Sequence, residues 1–228
     1  MKMIKLYLAI IMLLILTACG SSSDNESTPD VTNPPIKELL KVACIGDSIT
    51  EGTGLSNPSI DSYPSQLVTI LGESYEVANF GIKSATVLKQ SSKPYWNTSQ
   101  YSDSHLFAPD IVVIMLGTND AKPGNWVNKD QLVSDYSDLI NTYKNLETKP
   151  TVYICYPPPI YGEVAGITDS RIRNELLPLL NQVSIQNNVS IIDNYSALSG
   201  NKGWFTDNVH PNTEGARIVA ETVYQVIY

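Results

Sequence analysis

The chain has 228 residues, room for one domain of ordinary size with a tail. Its hydrophobic fraction of 43% excludes a wholly disordered chain. A formal net charge of -8 excludes the broad basic surface on which nucleic-acid binding depends, so no nucleic-acid partner is expected.

The first segment carries an address. Lys2 and Lys5 precede a run from Leu6 to Leu16 that is apolar apart from the Tyr7 hydroxyl. That is the layout of a secretory signal, and the run is short for a membrane-spanning helix. It ends in Leu16-Thr17-Ala18-Cys19-Gly20, which resembles the lipobox of bacterial lipoproteins. The resemblance implies cleavage of residues 1–18, lipid on Cys19, and export to the periplasmic or cell-surface side. The alternative is a secretory signal with an incidental cysteine. Residues 19–37 are rich in Ser and Pro and offer little to bury, so they read as a flexible tether. Residues 38–228 are then a water-soluble domain, held at a membrane through the lipid alone.

Along that domain two patterns alternate. Leu40–Ile45 is a short apolar run ended by Gly46. Residues 63–71 follow with Leu67, Ile70 and Leu71 on one helical face. Tyr75–Phe80 reads as a strand ended by Gly81, and Ile111–Leu116 as a strand covered on both faces. Residues 129–147 place Leu132, Tyr136, Leu139, Ile140 and Tyr143 at helical spacing. Thr151–Tyr156 is a strand stopped by Pro157-Pro158-Pro159. A helix kinked at Pro178 is expected over 170–186, a fifth strand over 189–193 and a closing helix over 213–227. Strands alternating with helices imply a three-layer α/β/α fold around a parallel sheet, and five strands suit the flavodoxin-like order 2-1-3-4-5. Ligands of such folds sit beyond the carboxyl ends of the strands. Ser48, Gly81, Asn119, Asp207 and His210 all follow strands and are expected along that edge.

These residues suit nucleophilic chemistry. A serine nucleophile needs a base, a group that orients the base, and donors for the developing oxyanion. Asp207-Asn208-Val209-His210 offers an acid and a base in one turn. The Ser48 and Gly81 N–H groups and the Asn119 amide are candidate oxyanion donors. The alternatives stay open: Gly46-Asp47-Ser48 and Gly117-Thr118-Asn119-Asp120 are also ordinary turn sequences, and Asp207 is also a turn residue. Aromatic residues in the segment 91–107 and Tyr156 either line a substrate cleft or pack down on the domain. Asp47, Tyr95, Trp96 and Tyr156 are the candidate substrate contacts. His105 has no carboxylate at the spacing of Asp207 and His210, and reads as structural or exposed. Of the three cysteines, Cys44 and Cys155 lie in apolar runs and read as buried thiols, with a disulfide as the alternative. No metal-ligand spacing is present, and neither metal nor cofactor is expected.

Four motifs in order carry a resemblance. Gly46-Asp47-Ser48, Asn79-Phe80-Gly81, Gly117-Thr118-Asn119-Asp120 and Asp207-Asn208-Val209-His210-Pro211 resemble the motifs of the SGNH hydrolases, also called GDSL esterases. The resemblance covers about residue 40 to the end. It implies Ser48 as nucleophile, His210 as base, Asp207 as its partner, and Ser48, Gly81 and Asn119 as the oxyanion hole. Ser62-Tyr63-Pro64 and Lys93-Pro94-Tyr95-Trp96-Asn97 look like the sialate O-acetylesterase-like or carbohydrate acetylesterase branch. The implied reaction is hydrolysis of a small acyl ester, acetyl first, on an oligo- or polysaccharide or a small molecule. A lysophospholipase or thioesterase of the same fold is one competing reading, and an inactive glycan-binding lipoprotein is another.

Overall fold

The structure is a computed structural model that describes residues 38–228. Residues 1–37, on which the expected signal, Cys19 and the expected tether fall, lie outside the described residues. A five-stranded sheet forms the middle layer, with β1 Leu40–Gly46, β2 Tyr75–Gly81, β3 Ile111–Met115, β4 Thr151–Tyr156 and, last in sequence, β7 Ser190–Asp193. Its order is β2-β1-β3-β4-β7, with every neighbouring pair parallel. Counted along the sheet strands alone, this is the order 2-1-3-4-5 read from the sequence. The central strands are hydrophobic almost throughout because both faces are covered.

Two apolar clusters occupy the two faces. One gathers Ile45, Val112, Ile114 and Ile154 with Tyr136, Leu139 and Ile140 of the helix Leu132–Lys144. The other gathers Cys44, Val113 and Cys155 with Leu67 of the helix Tyr63–Leu71 and Val219, Ala220 and Val223 of the helix Thr213–Ile227. Alternate residues of β1 and β3 therefore feed opposite clusters, as the two-residue period of a strand requires. Cys44 and Cys155 are free and buried on β1 and β4, with β3 between them. Burial pushes the Cys44 thiol up to about 12, so it serves as a small apolar group.

Three departures from the sequence pattern matter. The expected helix over 170–186 comes in pieces: Asp169–Arg171, a π turn over Ile172–Leu176, and a regular helix over Leu177–Asn187. Pro178 stands in the first turn of the last piece. Proline has no N–H to give and its ring crowds the carbonyl four residues back, so the ladder changes register there. The second departure is a short antiparallel hairpin, β5 Glu163–Val164 and β6 Ile167–Thr168, on the stretch after Pro157-Pro158-Pro159. The third is a helix over Ser99–Leu106 within the polar-aromatic segment between β2 and β3.

Candidate active site

Ser48 stands just beyond the carboxyl end of β1, at the first position of a short helix, Ser48–Glu51. Asp47 caps that helix, its Oδ1 accepting the Ile49 N–H at 2.9 Å. The turn is tight: a side chain at Gly46 would collide with Thr50 and the Met115 carbonyl. Ser48 is 7% exposed. Its N–H, at the start of a helix, has no partner within the helix.

Asp207 and His210 come from the loop ahead of the helix Thr213–Ile227. That loop closes on itself through a bridge between Phe205 and Pro211, and the Thr206 N–H donates to the His210 carbonyl at 2.8 Å. Asp207 Oδ1 accepts the N–H groups of Val209 and His210, both at 2.7 Å. Its Oδ2 lies 2.7 Å from His210 Nδ1, and His210 Nε2 lies 3.0 Å from Ser48 Oγ. A carboxylate only accepts, so Nδ1 carries the hydrogen and Nε2 is left to accept from the serine hydroxyl. Desolvation pushes Asp207 upward, but hydrogen bonds from the His210 ring, the His210 N–H and the Val209 N–H outweigh it and hold the carboxyl below its usual range.

Asn119 is 6% exposed and follows β3. Its side-chain nitrogen donates to Asp47 Oδ2 at 3.2 Å, and its carbonyl accepts from Asn125 Nδ2 at 2.9 Å. Ser48, Asn119 and His210 share one cavity of about 120 Å³, with Ser84, Thr118 and the turn of the hairpin along its wall.

Gly81 is a correction. Its N–H donates to Asn79 Oδ1 at 2.9 Å, and it opens onto a separate depression beside Glu51 and Pro58. Its missing side chain serves packing, since a Cβ there would collide with the backbone of Thr50 and Glu51. Two residues of that loop, Lys83 and Ser84, reach the cavity, and Ser84 is held at φ +67° in the left-handed region. Its N–H has no acceptor among the described residues. Asp120 holds this loop from across the sheet edge, its two oxygens accepting from Val87 N–H at 3.2 Å and Leu88 N–H at 2.8 Å. Burial raises the Asp120 carboxyl to about 7.

The expected substrate contacts are corrected as well. Tyr95 is fully buried and donates to the Phe80 carbonyl at 2.9 Å. Trp96 donates to the Val87 carbonyl at 2.9 Å, and its ring meets Lys89 and Tyr101 rather than the cavity. Tyr156 ends β4 and packs against the core. Asp47 is 1% exposed and lies under the site instead of facing it. Burial raises its carboxyl to about 6, against the pull of Ile49 N–H, His210, Lys122 and Asn119. His105 is structural, its Nδ1 on the Tyr101 carbonyl and its ring stacked on Tyr143.

The profile of the GDSL-like Lipase/Acylhydrolase family matches residues 44–218, from the strand before Ser48 to the helix after His210. The chain belongs to this family. It is an SGNH hydrolase by family, and that family is described as lipases and acylhydrolases. It is 35% identical over 212 residues to the acetylxylan esterase of Xylanibacter ruminicola, with 85% of this chain aligned. The chain spans less than half of that relative's length, 44%. Among solved structures, a carbohydrate acetylesterase family member from Sinorhizobium meliloti superposes with a TM-score of 0.68 at 24% identity, covering 83% of this chain and 97% of that one. The aryl esterase of M. smegmatis superposes with a TM-score of 0.64 at 20% identity, covering 82% and 97%. At that identity the likeness shows a shared fold, and one fold serving both kinds of esterase leaves the substrate to be argued from the site.

Two features of the site were missed by sequence reasoning. Ser84 carried no motif signal, because serine seldom marks a left-handed position. The hairpin wall, Val164 to Ile167, came from a stretch without periodicity. Arg171 ties it down, donating to the carbonyls of Ala121 at 2.6 Å and Gly166 at 3.0 Å.

Proposed function

We propose that this protein is a serine esterase that removes acetyl groups from a carbohydrate. The observation that carries the reading is the 3.0 Å approach of His210 Nε2 to Ser48 Oγ at the wall of a small cavity. In this reading Ser48 Oγ attacks the ester carbonyl carbon and its proton passes to His210 Nε2. Asp207 holds the Nδ1–H and stabilises the imidazolium. The Ser48 and Ser84 N–H groups and the Asn119 amide donate to the oxyanion. His210 returns the proton to the departing sugar oxygen. Water, deprotonated by His210, then releases acetate and regenerates the serine.

The cavity size supports a short acyl group. At about 120 Å³ it is well below the several hundred Å³ of sites that enclose drug-sized ligands, which suits a short acyl group better than a long chain. This disfavours the lysophospholipase or thioesterase reading. The similarity to an acetylxylan esterase supports a carbohydrate alcohol. Attachment through lipidated Cys19 on the exported side of a membrane remains part of the proposal and rests on residues 16–20.

The test compares p-nitrophenyl acetate with p-nitrophenyl octanoate, and wild type with Ser48→Ala. Expected are preference for acetate and a loss of at least about 10⁴-fold in the variant with its circular dichroism unchanged. Retained hydrolysis in Ser48→Ala sinks the mechanism, and octanoate preference sinks the acyl assignment. Labelling of Ser48 by a fluorophosphonate separates an esterase from an idle glycan binder.

A further inference from the structure

The cavity wall carries two lysines that the reaction does not use. Lys83 and Lys122 both line the cavity that holds Ser48 and His210. Neither forms an ion pair among the described residues, and no carboxylate lines the cavity with them. Asp47 lies beneath, and its oxygens are already engaged by Ile49 N–H and Asn119 Nδ2. A third ammonium stands on the same loop, where Lys93 Nζ donates to the Lys83 carbonyl at 2.8 Å.

This departs from the rest of the chain. The sequence holds 23 acidic against 15 basic residues. Three other cations meet acids, Lys89 with Asp138, Lys129 with Glu175, and Arg217 with Glu214 and Glu221, while Lys41, Lys144 and Arg171 meet backbone carbonyls. An acidic protein would by default repel a polyanion, and a cavity lined by two lysines and no carboxylate opposes that repulsion where the ester must bind.

Building on the esterase reading, we propose that Lys83 and Lys122 select acetyl esters on a sugar chain that bears carboxylates. The division of the wall gives the orientation. Val164, Ala165 and Ile167 present an apolar side suited to the acetyl methyl group, which leaves the ammonium groups to the alcohol. A lysine is a flexible point charge, suited to carboxylates at variable positions along a sugar chain rather than to one fixed bidentate contact.

The experiment measures kcat/KM on an acetylated oligouronide and on the same oligosaccharide after reduction of its carboxyls. Wild type is expected to prefer the charged form by about tenfold at low salt, with two to fivefold from each lysine, the scale of exposed ion pairs. The preference should shrink towards unity near 0.5 M salt, where the Debye length is only about 4–5 Å. K83Q and K122Q should each lower the charged-to-neutral ratio, and the change should appear in KM rather than kcat. K149Q, which changes an exposed lysine outside the cavity, should keep the ratio. Equal rates of wild type on both substrates, or a uniform fall on both in the lysine variants, overturns the proposal. The two readings fail separately: loss of the ratio with Ser48→Ala still inactive refutes only the charge selection, while activity retained in Ser48→Ala refutes the esterase mechanism itself.

Discussion

Asn119 Nδ2 donates to Asp47 Oδ2 at 3.2 Å, joining the turn after β3 to the turn after β1. One amide hydrogen is held by the carboxylate and the other is left for the cavity, so Asp47 fixes the direction in which Asn119 donates. Asn119→Ala should lower kcat by about 10²–10³ with little change in KM, the usual effect of losing one oxyanion donor. Asp47→Ala should lower kcat as well, and combining it with Asn119→Ala should cost less than the product of the single losses. Steady-state kinetics of the double-mutant cycle measures this, and full additivity would show that the two side chains act independently.

Asp47 also predicts a pH dependence of stability. Its carboxyl is raised to about 6 in the folded state by burial, above the ordinary value of 3.8. Between those values the folded chain holds the proton more tightly than the unfolded chain, so this group makes stability fall as pH rises. Asp120, raised to about 7, acts in the same direction. Asp47→Asn removes one of the two contributions. The melting temperature of wild type relative to Asp47→Asn should therefore be higher at pH 4.5 than at pH 7.5, and thermal scans at the two pH values give the comparison.

Asp207 acts with the opposite sign. Its folded carboxyl lies below the ordinary range, so its contribution is complete above about pH 4 and is lost as pH falls through the lowered value. Asp207→Asn should lower kcat by about 10⁴-fold while leaving the fold intact, because an amide nitrogen facing Nδ1 selects the wrong tautomer. Rates for the variant across pH 5 to 9 check this. A loss of less than tenfold would remove Asp207 from the mechanism.

Ser84 sits at φ +67°, a conformation that costs an ordinary residue roughly 1–2 kcal/mol and glycine nothing. If its contribution is the backbone N–H, neither Ser84→Gly nor Ser84→Ala should reduce kcat by more than about twofold. Ser84→Gly should also melt about 2–4 °C higher, the shift that about 1 kcal/mol produces in a domain of this size. A large kcat loss in Ser84→Ala would assign the role to the hydroxyl instead.

Arg171 holds the cavity's hairpin wall through the carbonyls of Ala121 and Gly166. Arg171→Ala leaves both carbonyls without that donor and frees the turn. KM for acetyl esters should rise several-fold, kcat should fall less, and selectivity against octanoyl esters should weaken as the cavity opens. Unchanged acetyl-to-octanoyl selectivity would show that the hairpin does not set the acyl limit.

Much of this protein is legible in its sequence. Apolar runs ended by glycine, alternating with helical spacings, determine a parallel sheet, because a strand covered on both faces and an amphipathic helix leave different periods in the chain. Five strands suit the flavodoxin-like order 2-1-3-4-5, and the sheet has that order. Asp207 and His210 lie three residues apart in one turn, so their pairing is local, and Ser48 is placed by the end of its strand.

The donors and the walls were decided only by tertiary structure. Gly81 and Ser84 lie three residues apart, and nothing in their identities says which N–H is engaged by Asn79 and which is left facing the cavity. Tyr95 and Trp96 have the composition of a sugar platform, yet both rings pack against Tyr101 of the helix Ser99–Leu106, and their polar atoms meet backbone carbonyls. The tether that Asp120 makes to Val87 and Leu88 joins residues more than thirty positions apart. Sequence periodicity records which face of an element is buried, whereas the direction of one N–H or one ring depends on partners that come together only when the sheet is assembled.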